Sequence, residues 1–149
     1  MRVRDFQAEL WLPLPPEELF PFFADAANLD AITPPWLHFH VVTPPPIVMR
    51  EGVLIDYQLR LRGLPLRWRT RINVWQPPHL FVDEQLRGPY RLWVHEHTFE
   101  PRDGGTLARD VVRYAVPFDF IATPLFVRRD IKKIFAFRQA ALRERFGCR

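Results

Sequence analysis

The chain contains no serine. That removes every serine-based catalytic triad. Its single cysteine, Cys148, lies beside the C-terminal end with no base fixed next to it. An internal disulfide is therefore excluded, and a cysteine nucleophile is disfavoured. Lysine occurs only as Lys132 and Lys133, among charged neighbours, a poor setting for a desolvated Schiff-base amine. No apolar run approaches the roughly 20 residues that span a bilayer. The opening Met1-Arg2-Val3-Arg4-Asp5 lacks the apolar stretch of a signal peptide. The expectation is a cytoplasmic chain in a reducing compartment, without a transmembrane segment. No phosphate loop, dinucleotide fingerprint or paired-cysteine zinc motif occurs. What remains is acid–base chemistry, metal-assisted chemistry or binding without chemistry.

What is present is ordinary in bulk. A length of 149 residues suits one domain, 1–149, with a sizeable core. The net charge of +4 comes almost entirely from arginine. Acidic residues are interspersed with the arginines, and no nucleic-acid-binding motif accompanies them, so no nucleic-acid partner is expected.

Prolines punctuate the chain at 13–16, 34–35, 44–46, 77–78, 89, 117 and 124, and each cluster reads as a break between elements. A first strand covers Val3 to Leu12. Pro15-Pro16-Glu17-Glu18 opens a helix over Leu19, Phe20, Phe22 and Phe23. A second short helix covers Ala26 to Ile32. A meander of strands follows. Leu37, Phe39 and Val41 alternate with His38 and His40. Ile55, Tyr57, Leu59 and Leu61 alternate with polar residues. After a turn at Gly63-Leu64-Pro65, Trp68, Thr70, Ile72 and Val74 alternate with arginines. Strands over 80–87, 91–100 and 107–116 are separated by Gly88-Pro89 and Asp103-Gly104-Gly105. The last segment, Pro124 to Phe146, is an amphipathic helix with Thr123 as its cap. Val127, Ile131, Ile134, Phe135 and Leu142 lie on one side of it, and Arg138 on the same side.

This order predicts an α+β fold. A curved antiparallel sheet of about seven strands grips a long C-terminal helix, with two short helices after strand 1. A curved sheet and one helix leave space between them, so a cavity is expected.

Two stretches place ionisable groups among aromatics. One face of the first carries Phe81, Asp83 and Gln85. One face of the second carries Trp93, His95, His97 and Phe99. Apolar walls with a few polar groups are what a ligand pocket needs. A tight hairpin at Gly88-Pro89 sets Asp83 nearly opposite His95 and Gln85 opposite Trp93. The next hairpin brings Asp110 beside His97. Arg138 faces the group from the helix. An aspartate beside a histidine favours imidazolium and raises its pKa.

The element order, with Ile32-Thr33-Pro34-Pro35-Trp36-Leu37, Phe81 to Gln85, Gly88-Pro89-Tyr90, Trp93-x-His95-x-His97-x-Phe99 and Ile134-Phe135-x-Phe137-Arg138, resembles the START/SRPBCC superfamily. The resemblance covers essentially the whole chain and points to a bacterial subgroup of polyketide cyclase/dehydrase-like proteins. It implies a helix-grip fold with a cavity for lipids, polyketides or other apolar molecules. A similar domain occurs fused to epimerase domains, and the expectation here is the domain by itself. The superfamily does not imply a single activity.

Three functions follow as expectations. The leading one is binding of a small apolar or polyketide-like molecule through Tyr57, Trp68, Thr70, Phe81, Gln85, Trp93, Phe99, Asp110, Tyr114, Ile134 and Arg138. The second is a cyclase, dehydratase or isomerase using His95 or His97 as base, tuned by Asp83. The third is docking on an acidic partner or membrane through Arg60, Arg62, Arg67, Arg69 and Arg71. Against the first two stands a buried polar network in which Asp83, His95, His97, Asp110 and Arg138 satisfy one another, with the ligand contacts of the cavity elsewhere. No cofactor is expected. A facial metal triad of two histidines and a carboxylate is weighed but no metal ligand is assigned, because Asp83 and Arg138 compete for the imidazole nitrogens. His38 and His40 are expected on the wet face and His79 in a loop. Trp36 and Met49 line either a pocket mouth or the core.

Overall fold

The computed structural model describes residues 1–147, without the side chains of residues 120, 121, 123 and 124. Cys148 and the side-chain cap expected of Thr123 lie outside the described residues. Strand β1 (Arg4–Leu12) turns Phe6, Ala8, Leu10 and Leu12 inward and leaves Asp5, Gln7 and Glu9 in water. Helix α1 (Pro16–Phe23) starts as expected, with Pro16 in its first turn and Glu17 and Glu18 at its positive end. A 3₁₀ segment (Ala26–Ile32) follows. Asp25 caps it, its carboxylate accepting from the Ala27 amide at 3.0 Å.

Strands β2 (His40–Val41), β3 (Leu54–Leu61), β4 (Leu64–Gln76), β5 (Leu80–Arg87), β6 (Leu92–Arg102) and β7 (Gly105–Ala115) complete one sheet with β1. Its order is β1-β7-β6-β5-β4-β3-β2, and every neighbouring pair is antiparallel. A short helix α2 (Asp119–Ala122) and a π-helical segment (Thr123–Val127) lead into α3 (Arg128–Phe146). Ile131 and Phe135 of α3 pack against Val112, Tyr114 and Val116 of the sheet side. Leu142 joins Leu19, Phe20, Phe81 and Phe99 in a second cluster. The α+β helix-grip architecture matches the expectation.

Local departures have local causes. The alternation from Leu37 to Val41 does not make a full strand. Pro35–Leu37 form one 3₁₀ turn, His38 takes φ +47°, and only His40 and Val41 pair with β3. Pro34 and Pro35 offer no backbone N–H and fix φ, so a ladder cannot start there. The turn expected at Gly63-Leu64-Pro65 sits one residue earlier. Arg62 and Gly63 both have positive φ, +51° and +80°, as a two-residue hairpin turn requires. Leu64 and Pro65 already belong to β4. The register of β4 shifts between Ile72 and Val74. That bulge turns Trp75 inward, against Phe20 at 5.2 Å and Phe81 at 5.6 Å. The regular C-terminal α-helix begins at Arg128 rather than Pro124. Pro124 has no N–H to offer an α-helical ladder, and the chain is π-helical there.

Candidate functional site

β6 lies between β5 and β7, so its inward side chains meet carboxylates from both neighbours. Asp83 of β5 pairs in register with His95, and His97 pairs with Asp110 of β7, as the hairpins predict. His95 and His97 are 6% and 5% exposed, and Arg138 from α3 is 8% exposed.

The hydrogen bonds do not follow the register. His97 Nε2 reaches Asp83 Oδ2 at 2.6 Å, while His95 Nε2 reaches Asp110 Oδ1 at 2.8 Å. The aligned pairs are longer: His95 Nδ1 to Asp83 Oδ2 is 3.9 Å, and His97 Nδ1 to Asp110 Oδ1 is 3.4 Å. Arg138 Nη2 lies 3.4 Å from His97 Nδ1 and 3.6 Å from Asp110 Oδ1. The imidazole rings stack at 3.6 Å, and Phe81 covers the other face of His97 at 3.9 Å.

These contacts set the charges. Burial works against a charge on His97, but its bonds to Asp110 and Asp83 outweigh burial and raise its pKa. His97 Nδ1 lies 3.4 Å from both Asp110 Oδ1 and Arg138 Nη2, and the raised pKa favours donation to Asp110 over acceptance from Arg138. His95 behaves oppositely. Burial, followed by the positive charge of His97, lowers its pKa despite the bond to Asp110. Burial alone would raise both carboxyl groups. For Asp83 the bond to His97 reverses this, and for Asp110 the nearby Arg138 charge and both histidines hold it well below the usual range. The outcome is two carboxylates against His97 and Arg138, with His95 neutral. Such balance is what makes a buried ionic group tolerable. The raised pKa expected for His95 beside Asp83 falls instead on His97, the next inward residue of β6.

Beside this cluster is a cavity of about 220 Å³ between the sheet and α3. Of the residues singled out in sequence, Tyr57, Trp68, Thr70, Phe81, Asp83, Trp93, His95, His97, Ile134 and Arg138 line it. The other four lie outside it. Gln85 is turned back into the hairpin, donating to the Tyr90 carbonyl at 2.7 Å and accepting from its amide at 3.1 Å. Phe99 packs on Phe20 and Phe23 beneath α1. Tyr114 is buried in the cluster of Val112 and Ile131. Asp110 holds both histidines from behind.

Sequence reasoning missed Leu29, Ile32, Phe39, Leu59 and Tyr90 on the wall. Leu59 was legible, since it shares a strand face with Tyr57. Tyr90 was not, because its place depends on Gln85 folding back. Met49 lines the cavity, whereas Trp36 is exposed and meets Phe137 edge-on at 5.9 Å. Tyr90, Trp93 and Trp68 form an aromatic group, with centroids 4.7 to 5.7 Å apart. Burial, then the charge of Asp83, raises the Tyr57 phenol, so it stays protonated.

Asp83, His95 and His97 offer ligand atoms within 4.8 Å of one another. Asp83 Oδ2 and His97 Nε2 are spent on each other, however, and Arg138 adds positive charge. The donor set therefore opposes a cation as it stands. On the outer face, Arg69 is bound by Asp56 and Arg71 by Glu84, while Arg62, in the β3–β4 turn, is bound by Asp130 of α3. His38, His40 and His79 are exposed.

A family model described as polyketide cyclase / dehydrase and lipid transport matches residues 12–143. Among solved structures, protein CV1439 from Chromobacterium violaceum aligns with a TM-score of 0.74 and 14% identity, over 97% of this chain and 99% of that one. TTHA0849 from Thermus thermophilus aligns at 0.61 and 20%, over 94% and 92%. The nucleoside-diphosphate sugar epimerase from Corynebacterium glutamicum aligns at 0.68 and 22%, covering 93% of this chain but 28% of that one. At these identities the likeness is one of fold. No curated protein sequence matches the chain. No helix among the described residues is long and apolar enough to cross a membrane. With most of its length matched and its sheet closed on one long helix, the chain belongs to the polyketide cyclase/dehydrase and lipid transport family, of the START/SRPBCC superfamily.

Proposed function

We propose that the chain binds a small, mostly apolar molecule in the cavity between the sheet and α3. The ligand's polar group lies at the Asp83, His95, His97 and Arg138 end. The observation that carries this is the layout of the lining: mostly apolar and aromatic walls, with Asp83, His95, His97 and Arg138 in one mutually bonded cluster. Family membership supports it. A volume of about 220 Å³ is below the roughly 300–1,000 Å³ of drug-sized pockets, which favours a compact ring system over a long acyl chain. The arginine stripe is a weaker candidate for function, because three of its five members are paired with carboxylates.

Native mass spectrometry of freshly purified protein, together with tryptophan-fluorescence titration against compact ring ketones and aromatic acids, tests this. The expected result is a ligand adduct or a saturable quench, abolished by Leu59→Trp, which fills the cavity. No adduct and no quench with any compound would overturn the proposal.

A further inference from the structure

We propose that this cavity is also a proton-transfer site, in which Nδ1 of His95 removes a proton from the carbon beside the carbonyl of an enolisable ring ketone. The proposal rests on the ligand-binding reading above. Asp110 and His95 carry it geometrically. The 2.8 Å bond from His95 Nε2 to the Asp110 carboxylate fixes the proton on Nε2. Nδ1 is then left with its lone pair. Its nearest carboxylate, Asp83, stands at 3.9 Å, beyond hydrogen-bond range, and Nδ1 makes no hydrogen bond among the described residues. His95 also lines the cavity. His97 does not share this freedom, because both its nitrogens face carboxylates at 2.6 and 3.4 Å.

The charges agree with the geometry. Asp83 from β5, His97 from β6, Asp110 from β7 and Arg138 from α3 face His95, and Tyr57 on β3 is held protonated near Asp83. Two negative and two positive charges leave the cluster balanced with His95 neutral, and burial keeps it so. A neutral imidazole oriented by a carboxylate is the usual form of a histidine base.

The step balances without a co-reactant. The C–H proton passes to Nδ1, and its electron pair becomes the C=C bond of an enolate. The carbonyl π pair moves to oxygen, which faces the positive charges of Arg138 and His97. Arg138 lines the cavity. Nδ1–H then returns the proton to the same carbon, or to the far carbon of a conjugated enolate, which moves a double bond. Asp110 touches no substrate and is a positioning residue.

The test uses 2-tetralone as probe. Exchange of its hydrogens next to the carbonyl is followed by proton NMR in D₂O, and its binding by shifts of the Trp68 and Trp93 indole N–H signals. Wild type is expected to bind and to exchange the probe above the buffer rate, with a rate that falls on acidification as His95 is protonated. His95→Gln should still bind but exchange about 100-fold more slowly. Asp110→Asn, whose amide can donate to Nε2 and so move the proton to Nδ1, should lose the pH dependence as well as the rate. Binding by wild type without exchange overturns the proton-transfer proposal and leaves the binding proposal standing. Absence of both overturns the proton-transfer proposal, and the binding proposal falls with it only if the full series of ring ketones and aromatic acids also fails to bind. Exchange by His95→Gln at the wild-type rate also overturns proton transfer. If His95→Gln does not fold by circular dichroism, the wild-type pH profile decides: a profile flat through the histidine range overturns it.

Discussion

Asp83 stands opposite His95 in the β5–β6 ladder, yet its carboxylate bonds His97, one inward position further along β6, at 2.6 Å. The reciprocal slip occurs across β6–β7, where Asp110 stands opposite His97 and bonds His95 at 2.8 Å. Diagonal neighbours in an antiparallel pair are within reach of long side chains. The crossing gives each histidine a short bond to the carboxylate aligned with the other. His97 gains a second carboxylate and a charge, whereas His95 keeps one nitrogen free.

The two histidines should titrate in opposite directions from the ordinary value. In nitrogen-detected NMR, the His97 ring is expected to lose its proton at a pH above the ordinary histidine value of about 6.5. His95 should stay neutral, with the proton on Nε2, on the acid side of neutrality. Identical titration of the two rings would contradict the crossed pairing.

Arg138 is the cation that offsets the second carboxylate. Arg138→Met leaves Asp83 and Asp110 facing His97 alone in a buried setting. A loss of about 3 kcal/mol is expected in urea unfolding, partly recovered in the double variant Arg138→Met/Asp110→Asn. Additive losses would show that Arg138 and Asp110 are not coupled.

The pH dependence of stability follows from the same shifts. The pKa of His97 is raised on folding, so its contribution is complete below the unfolded value of about 6.5 and is lost as pH rises through the folded value. That of His95 is lowered, so its contribution is present above about 6.5 and is lost as pH falls through the folded value. Asp83 and Asp110, also lowered, contribute above about 3.9 and lose that contribution on further acidification. The gap between the urea midpoints of wild type and His97→Gln should therefore narrow as pH rises from about 6.5 through the folded value of His97. A gap that stays constant as pH rises above about 6.5 would count against the assignment.

Gln85 holds the β5–β6 turn rather than a ligand. Gln85→Ala removes both bonds to the Tyr90 backbone and should cost about 1–2 kcal/mol. Tyr90, freed from the turn, should show faster amide hydrogen exchange, while the histidine titrations stay unchanged. Unaltered Tyr90 exchange would refute this role.

Much of the architecture was legible because it rests on local patterns. Alternation named the inward faces of β3 and β6, proline clusters marked the breaks, and Pro16 with two glutamates announced α1. Where prolines or a bulge interrupt a repeating pattern, the pattern misleads. Leu37 to Val41 alternates without forming a full strand. Val74 continues an alternation that the bulge has ended, so Trp75 is the residue turned inward. The bulge leaves no mark in the residue types, whereas Pro34 and Pro35 stand in the sequence just ahead of the broken strand.

The candidate site divides in the same way. Sequence by itself determined that Asp83, His95, His97 and Asp110 would meet. A two-residue period places them on one face, and short turns align the strands. It also placed Arg138 on the apolar side of the last helix. Tertiary structure alone decided which carboxylate bonds which imidazole, and therefore where the proton and the free lone pair reside. It also separated Gln85, Phe99, Tyr114 and Asp110 from the cavity that the other named residues line. Register is counted in whole residues and can be read from a sequence. The direction of a side chain within reach of two partners depends on burial and on the charges beside it, which exist only once sheet and helix close.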